Sequence, residues 1–360
     1  MDQPINRRGF AKVGAFATLS LTSLTAAEST AATTPAEPDY LDVRPYQLMC
    51  VVCQLGSGKI DDLDNPKLTE ILATVRKNPK TPIRLRLNVE SVYSYQNPGP
   101  NDDSPEGTLF NAKRDLDVIQ KLGLVPGDAR PAIDLFERLL KNVPTCLGIC
   151  GYETITGDTW QGCPRATSGN YEKGHKLGIN AIIPPRDEQQ KAEYKKTSVA
   201  DIYEATTLKI RPHHLMCMSC FYGARIENLA PIKEDNLFEA IDAIHKNPDI
   251  PVTLVAGCCM ICPPCSHYDP QTNWCVGGKS MALRDQKKDL DVLQKLGLKY
   301  GDTLPAKDLY KLLYERIPST RVICGYGDGE QRAYEWSICG DPEGKETYLK
   351  AREANLGIKS

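Results

Sequence analysis

The sequence predicts an α+β protein, a tandem duplication of a small, cysteine-rich domain that mixes a short sheet with several helices. Three observations predict it. First, the chain repeats itself: RPYQLMCVVC at 44–53 returns as RPHHLMCMSC at 211–220, NPKTPIRL at Asn78 as NPDIPVTL at Asn247, DLDVIQKLGL at Asp115 as DLDVLQKLGL at Asp289, and ICGY at Ile149 as ICGY at Ile323. The offset between copies grows from 167 to 179 residues, as small loop insertions would make it. A repeat of this length is a domain rather than a solenoid unit. Second, short β-prone runs follow a proline in both copies, at 83–87 and 252–256. Third, apolar residues at helical spacing mark one buried face over 235–245, where Leu237, Ala240, Ile241 and Ile244 line up.

Taken in order, residues 1–32 read as a twin-arginine export signal. Asn6 to Lys12 is NRRGFAK, followed by a mildly apolar run of Ala, Thr and Leu to Ala27, too short and polar for a comfortable membrane span. Cleavage is expected between Glu28 and Thr33, and no cysteine follows the apolar run to carry a lipid. This places the protein in the periplasm or otherwise outside the cytoplasm, with the twin-arginine translocase as a partner during export. From Ser29 to Asp39 the composition is Thr, Ala, Pro and Glu, a solvated tether. Repeat 1 spans 40–180, a charged and partly helical linker 181–206, and repeat 2 207–360. In repeat 2 the segments 289–296 and 306–317 read as helices, with Gly297 at a helix stop. Residues 321–324 read as a further strand, and Arg284, Asp285, Lys287 and Lys288 as a solvated helix face.

Composition bounds the function. With 360 residues, 41% hydrophobic and 25% charged, the chain builds two cores without help from disulfides. A formal net charge of -2 gives no electrostatic case for nucleic acid. Fourteen cysteines are what call for explanation.

The repeat sorts them. Cys50, Cys53, Cys150 and Cys163 of repeat 1 correspond to Cys217, Cys220, Cys324 and Cys339 of repeat 2. Each quartet is a CxxC joined by two cysteines from the far end of the domain. Four thiolates suit tetrahedral zinc or an iron–sulfur cluster, and two disulfides use four cysteines as well, so both readings stand. Repeat 2 adds Cys258, Cys259, Cys262, Cys265 and Cys275. Cys259, Cys262 and Cys265 form the CxxCxxC run that ferredoxin-type clusters use, with Cys275 as candidate fourth ligand. The register Cys258, Cys262, Cys265 gives CxxxCxxC, the spacing of radical S-adenosylmethionine enzymes, but the strand–helix repeats of their barrel are missing. His213 and His214 beside Cys217 read as metal ligands, as donors to thiolate sulfur or as packed rings, and their partners in repeat 1 are Tyr46 and Gln47. His245 reads as structural, His267 as a neighbour of Cys265, and Cys146 as a buried or partnered thiol. No GxSxG, HExxH or glycine-rich nucleotide loop points to a catalytic site.

HHLMC at His213, the run ending at Cys265, Cys275, the Arg284-Asp285 pair opening a helix that ends in LG, Cys324, and Trp336 to Cys339 together resemble a family of short bacterial and archaeal proteins known as domain of unknown function 1284. The likeness covers most of repeat 2 and little of repeat 1. It implies an iron–sulfur or other thiolate-metal site at Cys217, Cys262, Cys275, Cys324 and Cys339, and supplies no reaction. The expectation is an exported iron–sulfur protein that serves a redox partner protein. The alternatives are a secreted binding domain with zinc or disulfides, and a copper(I)-binding thiol protein.

Overall fold

Two helices that are apolar on nearly every side form the centres of the two halves. In a computed structural model, which describes residues 40–89, 97–99, 102–275, 283–339 and 344–358, they are α1 (Pro45–Gly56) and α8 (Pro212–Gly223). Leu48, Met49, Val51 and Val52 of α1 and Leu215, Met216 and Met218 of α8 are buried. A helix without a polar face belongs inside a core. Proline opens each, where its missing N–H costs nothing.

Around α1 the chain runs β1 (Leu41–Val43), α1, α2 (Pro66–Lys77), β2 (Pro82–Leu85), α3 (Thr108–Leu122), β3 (Ala129–Pro131), α4 (Ala132–Asn142), α5 (Asn170–Leu177) and α6 (Ile179–Ile182). After α7 (Glu188–Glu204) come β4 (Leu208–Ile210), α8, α9 (Leu237–Lys246), β5 (Pro251–Leu254), β6 (Tyr268–Asp269), β7 (Trp274–Cys275), α10 (Leu283–Leu296), β8 (Thr303–Pro305), α11 (Ala306–Arg316) and α12 (Glu346–Glu353). This is an α+β architecture. The first sheet has the order β1-β2-β3 and the second β4-β5-β8, each with one parallel and one antiparallel pairing. The register agrees as well: Leu41 opposes Ile83 as Leu208 opposes Val252, and Pro82 opposes Pro131 as Pro251 opposes Pro305. Ile83 and Leu85, and likewise Val252 and Leu254, turn inward and are buried.

The same side chains hold both centres. Asp115 accepts the Tyr46 backbone N–H at 3.0 Å and Arg44 Nε at 2.7 Å. Asp289 accepts the His213 backbone N–H at 2.9 Å and Arg211 Nε at 2.9 Å. A buried carboxylate thus satisfies an otherwise orphaned first-turn donor and meets the positive end of the helix. At the other end, a Cβ on Gly56 would stand 1.9 Å from the Asn170 carbonyl oxygen, and one on Gly223 1.7 Å from that of Thr347. Only glycine lets α1 and α5, or α8 and α12, approach so closely. Tyr171 and Tyr348 then donate to the Val143 and Ile317 carbonyls, both at 2.7 Å.

Two expectations are corrected. Residues 321–324 are not a strand: Thr320–Val322 is a turn of 3-10 helix, and the third place in the second sheet belongs to β8. The Cys324 N–H closes on the Thr320 carbonyl at 2.7 Å, so the chain turns back, and tertiary pairing overrides the β-branched preference. Nor is the face at 284–288 solvated throughout, since Lys288 is 2% exposed and Arg284 donates to Ser337 Oγ at 3.0 Å. The linker, expected to be partly helical, carries a helix over Glu188–Glu204. Its helix α7 docks Lys195 on Glu239 at 2.6 Å, and Ser198 accepts from buried Asn236 at 2.8 Å. Among the described residues no helix is long and apolar enough to cross a membrane. The expected export signal at 1–32 lies outside the described residues.

Candidate metal centre

The sulfur-rich loop that follows β5 is held by hydrogen bonds to its backbone, and it leaves the Cys259 thiol turned toward α8. Asn236 takes the Met260 carbonyl with its side chain at 2.8 Å and the Ile261 carbonyl with its backbone N–H at 3.1 Å. Arg186, just ahead of α7, donates to the Pro263 and Cys265 carbonyls at 2.7 and 2.8 Å while lying over the rings of Tyr194 and Tyr268. Inside the loop, Cys262 N–H reaches the Cys259 carbonyl and Cys265 N–H the Cys262 carbonyl, both at 2.9 Å. These successive turns fan the cysteines out rather than stacking them.

From α8, His214 meets the first two. Its Nδ1 lies 3.1 Å from Cys259 Sγ, and Cys259 Sγ lies 4.0 Å from Cys262 Sγ. Among the described residues, these are the three metal-type donors that stand within 4.8 Å of one another. Cys258, one residue before Cys259 in the same loop, is buried as well. Burial drives the Cys259 thiol well above its ordinary pKa, and Cys258 does the same for Cys262. Without an ion both are therefore neutral thiols, and a metal would have to displace their protons. A cavity of about 330 Å³ opens on Cys258, Cys259, Met260 and Lys209.

The other candidates divide plainly. His213 is not in this group: its Nδ1 lies 2.7 Å from Asp289 Oδ1, and its ring meets that of His214 edge-on at 4.5 Å. Cys265 Sγ accepts the His267 N–H at 3.4 Å, and Cys275 pairs with Tyr268 in the small β6-β7 ribbon, so neither sulfur joins His214. His245 is structural, with Nε2 2.6 Å from the Leu356 carbonyl, and Cys146 is buried with its thiol on the Ala166 carbonyl at 3.3 Å.

The members of each quartet come to the same side of their half, although no three of their sulfurs stand within 4.8 Å of one another. Cys50, Cys53, Cys150 and Cys163 line one cavity of about 600 Å³, together with Tyr46, Arg114 and others. The Cys163 N–H donates to the Cys150 carbonyl at 2.7 Å, and Gly162, at φ +83°, makes that turn where a Cβ would sit 2.7 Å from the same oxygen. In the second half Cys339 N–H donates to the Cys324 carbonyl at 3.2 Å, and Cys217 and Cys220 face them from α8. The Cys324 thiol hydrogen-bonds Cys339 and holds it below the usual thiol range, with Lys288, Arg284 and Lys345 acting the same way. Burial pushes Cys50 up to about 12 despite Arg114.

Compared with family models, with curated proteins and with solved structures, the chain matches none.

Reading the sequence alone undervalued four residues. Cys258 appeared among the cysteines that repeat 2 adds and in a discarded register, Arg186 in the linker, Lys288 on a solvated helix face, and Asp289 only as the start of a helix. The repeat itself carried a signal for the last two, because KRDLDV and KKDLDV keep a cation and then an aspartate at equivalent places.

Proposed function

We propose that the chain is an exported thiolate-metal protein whose best-assembled centre is His214, Cys259 and Cys262, with Cys258 as fourth donor. The observation that carries it is the convergence of one imidazole nitrogen and two sulfurs within 4.8 Å in a buried, backbone-braced loop. Two sulfurs on one tetrahedral ion at about 2.3 Å each lie about 3.8 Å apart, close to the separation here. That spacing favours a single ion, iron or zinc, over a cluster on Cys259, Cys262, Cys265 and Cys275, whose ligands stand around a larger body. With iron the centre would pass one electron at a time to a redox partner protein; with zinc it would brace an exported binding domain. Export through the twin-arginine route is supported by the NRRGFAK segment and suits a protein loaded with metal before it leaves the cytoplasm.

The test is iron, zinc, copper and acid-labile sulfide content of anaerobically purified protein, with its visible spectrum and free-thiol count. Metal that is lost in Cys262→Ser and in His214→Ala but kept in Cys265→Ser supports the single-ion centre. Iron with matching sulfide, lost in Cys265→Ser and Cys275→Ser, would replace it with the cluster. Metal-free protein without free thiols would sink both.

A further inference from the structure

Among the described residues, each thiol quartet is met by a buried cation with no carboxylate at ion-pair distance. In the first half it is Arg114 on α3, 1% exposed. Its guanidinium donates only to neutral oxygens, Asn111 Oδ1 at 2.5 and 3.1 Å and Ser104 Oγ at 2.7 Å, and lies 3.5 Å from the centroid of the Tyr46 ring. It borders the same cavity as the four sulfurs. In the second half the equivalent position is Lys288 on α10, 2% exposed. Among the described residues its ammonium has neither an ion pair nor a hydrogen bond. What faces it is sulfur and one carboxylate: its charge acts on Cys217, Cys324 and Cys339 and on Asp285, as that of Arg114 acts on Cys50 and Cys150 and on Asp115, which Arg44 already holds at 2.7 Å. Other charges at the quartets are Arg284, Lys345 and Asp285 in the second half and Arg165, Glu106 and Glu172 in the first. Asp285 is already engaged by Arg284 at 3.0 Å.

Burying a cation without a partner costs several kcal/mol, and neither thiols nor disulfides offset that cost, because both are neutral. Four thiolates on a divalent ion do, since the centre keeps a double negative charge. We propose that each quartet, Cys50, Cys53, Cys150 and Cys163 in one half and Cys217, Cys220, Cys324 and Cys339 in the other, is a tetrathiolate metal centre rather than two disulfides, and that Arg114 and Lys288 are its built-in counter-ions. Binding draws the four sulfurs, no three of which stand within 4.8 Å of one another beforehand, onto one ion and releases the four thiol protons as four metal–sulfur bonds form, with no change of oxidation state. Arg114 and Lys288 are positioning residues that touch no metal. These centres do not involve His214, Cys259 or Cys262, so they stand or fall separately from the proposed function.

The experiment uses the full chain carrying Cys262→Ser, which silences the other centre, stripped of metal and titrated anaerobically with Co²⁺, whose thiolate charge-transfer absorption reports sulfur ligation. Two cobalt–thiolate centres are expected, one lost with Cys163→Ser and the other with Cys339→Ser. Lys288→Met should weaken the second about 10–100-fold, with Lys288→Arg restoring most of the affinity, and Arg114→Met should do the same to the first. In the metal-free state Lys288→Met should unfold at the same or a higher urea concentration than its parent, because an unpaired buried charge has gone. Metal content as isolated distinguishes zinc from iron. No cobalt–thiolate absorption, unchanged affinity in Lys288→Met, a metal-free Lys288→Met that fails to fold, or quartets isolated as disulfides would each overturn the proposal.

Discussion

One aspartate, present in both halves, shows how neighbouring residues set its chemistry. At Asp289 burial pushes the carboxyl up, but the hydrogen bond and charge of His213 and then Arg211 outweigh it, and the pKa falls below the ordinary value. At Asp115 burial wins and the value rises to about 6, since Arg44 is shared with Asp103 and Tyr46 stands where His213 would be. The two therefore act on stability with opposite slopes. The depressed Asp289 contributes stability that is present above about pH 4, its unfolded value, and lost as pH falls through its folded one. The raised Asp115 takes up a proton on folding, so its contribution declines as pH rises between about 4 and 6. Asp289→Asn should cost about 3–5 kcal/mol at neutral pH, the scale for removing one member of a buried pair. Its deficit against wild type should narrow below about pH 4. Urea unfolding across pH measures both, and a deficit that stays constant in acid would mean that Asp289 works by packing alone.

At the scale of elements, the crossing of α8 with α12 decides where Cys217 and Cys220 lie, and the crossing depends on Gly223. An alanine there would drive its Cβ into the Thr347 carbonyl and the Ala351 N–H. Gly223→Ala should destabilise by about 2–4 kcal/mol through backbone displacement, and Gly56→Ala should match it in the first half. Gly157→Ala is the control. Its Cβ meets open space and its φ of 169° is extended, so it should stay within about 0.5 kcal/mol of wild type. Thermal unfolding of the three variants distinguishes a tight crossing from a general intolerance of substitution.

For the whole molecule, charged side chains join the two halves among the described residues. Glu335 of the second half reaches Arg138, itself paired with Asp134 at 3.1 Å, and Arg130 at 3.3 Å, while Lys80 lies over the Trp274 ring at 5.8 Å. Glu335→Ala should lower stability by about 1–3 kcal/mol, because it removes the carboxylate that Arg130 and Arg138 share, and should leave metal content unchanged. Metal acts on a different part of the molecule. Ligand at about 100 times its dissociation constant adds about 2.7 kcal/mol to the half that binds it. Chelation should therefore lower the thermal midpoint by roughly 5–10 °C, and a melt insensitive to chelator would argue against metal in the folded protein.

The sequence by itself determined the α+β class and which cysteines fall into matched quartets. Repetition and apolar spacing are local properties of a chain, written at 44–53 and 211–220 in residues that need no partner to be read. It also led to the wrong local structure at 321–324, where a β-branched run is outvoted by the turn that returns Cys324 to Cys339. Only the tertiary structure decided which sulfurs meet an imidazole. Spacing made Cys259, Cys262, Cys265 and Cys275 alike, but the turns at 259–265 send Cys265 away, and His214 arrives from a helix 45 residues earlier in sequence. Only the tertiary structure, too, turned Lys288 from a surface charge into a buried one. A lysine on a helix reads as solvated until something packs over it, and burial is a property of what the rest of the chain places nearby.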